Sequence, residues 1–148
     1  MNEPIINRRV RADYKILETY EAGIELKGHE VKSIRNGKMT LAGSYARVAS
    51  NGMWLLNSNI APYQEKNTPQ DYDPARTRRL LLKHDEIESL RGKMKSDRLT
   101  LLPLKVYVKR GLIKVELGLG QGLKKYDKRE KIKTRETKRE ISRRLKES

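Results

Sequence analysis

The chain has 148 residues, with 34 Lys or Arg against 19 Asp or Glu, a formal net charge of +15 and no cysteine. That length holds one domain with at most an appendage, and the absence of thiols excludes disulfides and thiolate metal sites, as expected of a cytoplasmic protein. No apolar run reaches the roughly 18 residues of a membrane span, and MNEPIINRRVRADY has no apolar signal-peptide centre.

Residues 14–27, YKILETYEAGIELK, alternate as strands do, with Glu21-Ala22-Gly23 as the expected turn. GHEVKSIRNG (28–37) loses that alternation, and Val31, Ile34 and the closing Asn36-Gly37 predict a short helix with a glycine stop. In SYARVASNGMWLLNSNI two β-prone runs flank Asn51-Gly52, a dipeptide suited to the positive φ angles of a type I′ hairpin turn. Residues 61–76 contain Pro62, Pro69 and Pro74 and almost no aliphatics, which predicts a long loop.

TRRLLLK (77–83) reads as a buried strand. HDEIESLRGKMKS follows as a helix, with acids near its start, bases near its end, and Ile87, Leu90 and Met94 on one face. LTLLPLKVYVK and LIKVELGLG then alternate around Arg110-Gly111. Leu102, Leu104, Val106 and Val108 are expected on one face, and Ile113, Val115, Leu117 and Leu119 on one face of the second strand. Pro103 cannot donate to a ladder and belongs at an edge or bulge.

Six or seven strands with inserted short helices predict a mainly β fold, a small antiparallel OB-like Greek-key barrel whose closure removes exposed edges. The barrel is expected over residues 1–122 and a basic tail over 123–148. The tail carries twelve Lys or Arg against five Asp or Glu, nearly half of the excess charge in about a sixth of the chain. Its aliphatics Ile132, Ile141 and Leu145 draw no single stripe, yet Asp127 and Lys131, and Glu140 and Arg144, form helix-supporting i, i+4 pairs. A segment disordered alone and helical against a polyanion is expected.

Such charge favours a polyanionic partner, because neutralised phosphates release counterions. An anionic membrane surface would call for an amphipathic helix with a broad apolar face, and none is present, so nucleic acid leads. His29 and His84 stand alone, far from metal-ligand spacing. Glu18 with Glu21, or Asp85, Glu86 and Glu88, offer paired carboxylates, but no Ser-His-Asp order, phosphate loop or metal motif accompanies them. Neither catalysis nor a cofactor is expected.

Basic residues beside aromatics are the candidates for RNA: Arg8, Arg9 and Arg11 with Tyr14; Arg76, Arg78 and Arg79 near Tyr72; Lys124 and Lys125 with Tyr126. Tyr45 and Tyr107 read as half-buried strand residues. Three functions stay open on these residues alone: an RNA-binding adaptor, a general RNA or single-strand-binding barrel, and an RNA-processing enzyme.

In order, EAGIELKGHEVKSIRNGK (21–38), SYARV (44–48), NIAPY (59–63), DPARTRRLLL (73–82) and YDKREKIK (126–133) resemble the SsrA-binding protein family, small protein B. The resemblance runs from Asn7 to about Ile141. It implies an OB-like barrel with an unstructured tail, and ribosome rescue by trans-translation as the function. The partners implied are the tRNA-like domain of transfer-messenger RNA, the ribosome's decoding centre and mRNA channel, and GTP-bound elongation factor Tu. The protein would stand in for the anticodon arm in the A site, with its tail in the empty mRNA channel.

The family's RNA-binding positions fall on Asn7, Glu21, Leu81 and Lys114. Leu81 is also apolar enough to be core. The ribosome-contacting tail positions fall on Gly122, Lys124, Tyr126, Asp127, Lys128 and Arg129. Where family members read Gly-Lys-Lys, this chain has Leu123 after Gly122.

Overall fold

The computed structural model describes residues 3–64, 66, 68–95 and 99–123. The expectations for Lys124, Tyr126, Asp127, Lys128, Arg129 and the rest of the tail lie outside the described residues. In chain order the elements are β1 (Ile5–Ile6), α1 (Val10–Asp13), β2 (Tyr14–Ile24), α2 (Gly28–Arg35), β3 (Met39–Thr40), β4 (Tyr45–Ala49), β5 (Gly52–Leu56), β6 (Asn59–Ile60), β7 (Arg78–Leu81), α3 (His84–Met94), β8 (Leu99–Lys109) and β9 (Leu112–Gly122).

The main sheet runs β1-β8-β4-β5-β7-β2-β9, and the β8–β9 pairing joins its ends. Six antiparallel strands therefore close into a barrel, with β1 added outside on β8 and β3–β6 as a separate two-stranded ribbon. Closure leaves no long unpaired edge, as a small mainly β domain requires. Ala22, Met53, Leu55, Leu80, Leu101, Val106, Val115, Leu117 and Leu119 fill the interior together with Ile34 of α2 and Leu90 of α3. Ile87 and Met94 pack beside Leu90 as half-buried neighbours.

The Arg110-Gly111 turn sets the longest pairing. Both residues take positive φ, 52° and 77°, as a type I′ turn demands. Pairs then count outwards from Lys109–Leu112 to Leu99–Gln121, with one register shift at Pro103–Lys105. Pro103 thus sits at a bulge, as its missing N–H predicts.

That bulge corrects the single expected face of β8. Val106 and Val108 point into the core with Leu101, whereas Leu102 and Leu104 join Val10 in a second apolar cluster with Tyr14 and Ile16. Gly118 makes room for it: a Cβ there would lie 2.9 Å from the Leu104 side chain.

Three further expectations are corrected. Glu21-Ala22-Gly23 is not a turn but the middle of β2, paired with Glu116, Val115 and Lys114. These small residues serve close packing instead, since Ala22 faces the core and Gly23 lies against Leu81. The β4–β5 hairpin forms, but its loop is Ser50-Asn51 between paired Ala49 and Gly52, and only Gly52 takes a positive φ, +136°. Asn51 is held by its neighbours: its Oδ1 accepts from Trp54 Nε1 (3.1 Å) and its carbonyl from Arg79 (3.3 Å). TRRLLLK is not buried throughout, because β7 alternates Arg78 and Leu80 inward with Arg79 and Leu81 outward.

Candidate nucleic-acid interface

Closing the barrel turns alternate residues of β2, β8 and β9 to the outside, and cross-strand pairing assembles them. Glu21 pairs with Glu116, Gly23 with both Leu81 and Lys114, and Lys114 with Tyr107. Three of the four barrel positions singled out by resemblance, Glu21, Leu81 and Lys114, therefore meet on one outer surface.

Glu21 is the hub of this surface. Its carboxylate accepts from the Tyr107 hydroxyl at 2.5 Å and from Lys109 Nζ at 3.2 and 3.3 Å. The Tyr107 bond, then Lys109, holds the Glu21 carboxyl below its ordinary range, so it is an anion at neutral pH. Partial burial and then the Glu21 bond push the Tyr107 phenol upward, so it stays a donor. Lys105 lies 5.3 Å from the Tyr107 ring centre and pairs with Glu116 at 3.3 Å. The surface offers ammonium groups for phosphates and oriented oxygens for ribose or base edges.

Leu81 is 48% exposed, which settles its reading against the core. With Leu112, 61% exposed, it lines a groove of about 260 Å³ that also includes Gly23, Val31, Ile113 and Lys114. Two bare leucines beside a lysine suit an unstacked base whose phosphate is held alongside.

Asn7 lies further along the same barrel wall. Its backbone N–H donates to the Leu104 carbonyl (2.8 Å), and its side-chain amide donates to the carbonyls of Pro103 (3.0 Å) and Leu41 (3.4 Å). Three residues of strand separate Leu104 from Tyr107, roughly 10 Å. Asn7 opens into a cavity of about 390 Å³ with Arg9, Asp13, Tyr14, Ser44 and Tyr45. Arg8, Arg9 and Arg11 are exposed around Tyr14, so that sequence cluster does reach the surface.

In the second cluster Arg78 does not, while Arg76 and Tyr72 are half-buried at its rim. Arg78 is fully buried, and it donates from Nε (2.9 Å) and NH2 (2.6 Å) to Glu30. Its remaining N–H groups reach Ser58, the Arg76 and Pro74 carbonyls and the Tyr72 oxygen. Arg76 also pairs with Glu30. These residues clamp residues 72–78 onto α2, and Arg78 is corrected from an RNA ligand to a structural residue. Gly122 closes β9 opposite Tyr14, and the Leu123 N–H donates to the Asp13 carbonyl at 3.0 Å. Leu123, the last described residue, thus lies beside α1. Glu18 and Glu21 have separate partners, Tyr20 and Lys93 for the first, Tyr107 and Lys109 for the second.

Lys109, Leu112 and the second role of Tyr107 were not read from sequence. Counting outwards from Arg110-Gly111 would have found them, because a two-residue turn fixes the register of Tyr107 with Lys114.

Fold and surface together define an OB-like β-barrel with a basic, tyrosine-bearing wall, the class that binds nucleic acid. The SmpB protein family profile matches residues 5–147. The chain belongs to this family. The SsrA-binding protein of Trichodesmium erythraeum is 51% identical over 141 residues, covering 95% of this chain and 90% of that protein. The SsrA-binding protein of Geobacillus thermodenitrificans is 50% identical over 141 residues, with the same coverage of 95% and 90%. A solved chain described under "tmRNA-SmpB: a journey to the center of the bacterial ribosome" is 47% identical with a TM-score of 0.69, covering 87% of this chain and 94% of that one.

Proposed function

We propose that this chain is an RNA-binding adaptor of trans-translation, which binds the tRNA-like domain of transfer-messenger RNA and brings it to stalled ribosomes. The observation that carries the reading is the convergence of Glu21, Leu81 and Lys114 on one outer wall, in a chain about half identical to SsrA-binding proteins. In this reading Lys114 meets a phosphate, Leu81 an exposed base, and Glu21 a ribose or base donor while orienting Tyr107 and Lys109. The protein acts by binding, in the cytoplasm, and catalyses nothing itself.

The finer parts of the reading belong to the tail and the delivered complex. Gly122, Lys124, Tyr126, Asp127, Lys128 and Arg129 contact the ribosome, and the excess positive charge of residues 123–148 suits the RNA walls of an empty mRNA channel. Elongation factor Tu with GTP delivers the complex to the A site.

The test is binding of a labelled tRNA-like domain across a salt series. Lys114→Glu should weaken binding at least ~10-fold, as loss of a charge-assisted contact does. Leu81→Ser should weaken it without changing the salt slope, because no charge is lost. Unchanged affinity in both variants would reject this wall as the RNA site.

A further inference from the structure

We infer that the outer face of β4, β5 and β7 is a second RNA-binding surface, on which an unpaired base stacks against Trp54 and Arg79 while Arg47 holds its phosphate. The inference rests on the adaptor reading, since a protein that bridges two RNAs needs a second face for the second one.

Arg47 pairs across the sheet with Trp54, and Trp54 with Arg79, so a cation, an indole and a cation form one row. The row spans two strand spacings, roughly 10 Å. It stands on the barrel's outer face, because Ala46, Met53, Leu55 and Leu80 take the alternate positions in the core. Trp54 is the single tryptophan of the chain. Around the closed ring, β5 lies three strands from β9 in either direction, so Trp54 is across the barrel from Lys114.

The row is built in advance. The Arg79 guanidinium lies 5.7 Å from the Trp54 ring centre and donates to the Asn51 carbonyl. Gly52 leaves the space it occupies, since a Cβ there would stand 3.3 Å from its NH2 group. Trp54 is fixed in turn by its bond to Asn51. Arg47 and Arg79 are exposed and make no ion pair among the described residues.

Charge decides the occupant. No Asp or Glu lies in β4, β5 or β7, and the one carboxylate beside the row is that of exposed Glu25, whose N–H donates to the Arg79 carbonyl, whereas Glu21 and Glu116 stand together on the wall across the barrel. Beyond Arg47 the face runs into a groove of about 420 Å³ lined by Tyr45, Arg91, Met94, Lys95 and Thr100. Two arginine planes about an indole, in cationic excess over the single flanking Glu25, fit an RNA single strand, since aromatic and guanidinium surfaces stack bases irrespective of sequence.

The experiment uses the full-length protein, saturated with an unlabelled tRNA-like domain, and titrates an unstructured 12-nucleotide RNA. Trp54 fluorescence reports the second face alone. Quenching with its own saturation is expected. Arg47→Glu should weaken that step at least 10-fold and lower its log–log salt slope by about 0.7, one single-strand phosphate contact. Trp54→Leu, followed by anisotropy of the labelled 12-mer, should weaken it comparably. Both variants should bind the tRNA-like domain as the parent does. No quenching, or a 12-mer affinity that neither variant changes, overturns the second surface. Loss of tRNA-like binding in Arg47→Glu overturns it too, by merging the two surfaces into one. Failure of Lys114→Glu to affect tRNA-like binding is a separate result and strikes only the reading of the first wall.

Discussion

Replacing Glu30 by Gln tests whether the buried ion cluster is what holds the long loop on the barrel. Glu30 is fully buried at the third position of α2, where its Oε1 accepts from the Lys27 N–H (2.8 Å) and from Arg76. Its Oε2 accepts from Arg76 Nε and from both Nε and NH2 of the fully buried Arg78. Burial alone would raise the Glu30 carboxyl, but the bonds from Arg76, the Lys27 amide and Arg78 outweigh it and bring the pKa down to about 2 from 4.5. A shift of that size corresponds to about 3 kcal/mol of stability.

The sign follows from the depressed folded value. The contribution is fully present above pH about 4.5 and is lost as pH falls through about 2. Glu30→Gln keeps the side chain's shape but leaves two guanidinium groups facing a neutral amide, one of them without solvent. The expected loss at pH 7 is about 3–5 kcal/mol, the range for removing one partner of a buried pair. Urea unfolding of parent and variant from pH 7 to pH 2 measures it. The gap should be widest at neutral pH and narrow by about 3 kcal/mol below pH 4.5. A gap under 1 kcal/mol, or one that does not change with pH, would refute the reasoning.

Gly118→Ala should cost about 1–3 kcal/mol in urea unfolding, since its Cβ would strike the Leu104 side chain and force the Val10 cluster apart. Arg110→Gly relieves a positive φ of 52° at a turn that needs it, so unfolding free energy should stay level or rise by up to about 1 kcal/mol. Truncation after Gly122 should leave affinity for a tRNA-like RNA within a few-fold while abolishing peptidyl transfer to alanyl transfer-messenger RNA on stalled ribosomes. Loss of RNA binding there would make the tail an RNA clamp instead.

What could be read from sequence was what depends on near neighbours. The α2 helix with its stop at Gly37 (φ +73°), the Pro-rich loop, the Ile87, Leu90 and Met94 face and the β8–β9 hairpin rest on spacings within a dozen residues. Glu21-Ala22-Gly23 misled because a turn and a tightly packed strand both call for small residues. Only the distant Leu81 side chain against Gly23 separates the two. The split face of β8 was hidden for the same reason, since a bulge changes inside for outside without altering the alternation that predicts it.

The arginines carry this furthest. Arg76, Arg78 and Arg79 fall within four residues of one another and count equally towards the net charge, yet they have three fates. Arg78 points inward and is matched by Glu30, which is 48 residues earlier. Arg76 closes the same cluster from its rim. Arg79, one residue on and therefore on the opposite side of β7, lies over Trp54 and makes no ion pair among the described residues. A basic composition states that a polyanion is welcome but cannot state where. Strand alternation makes the choice, and Glu30 removes two of the three cations from the account before RNA arrives. The charge that remains outside is then divided between a wall where carboxylates bind their neighbours and a face where Arg47 and Arg79 make no ion pair among the described residues. Such a division suits the two RNA contacts proposed above, one at the wall of Glu21 and Lys114, the other at the row of Arg47, Trp54 and Arg79.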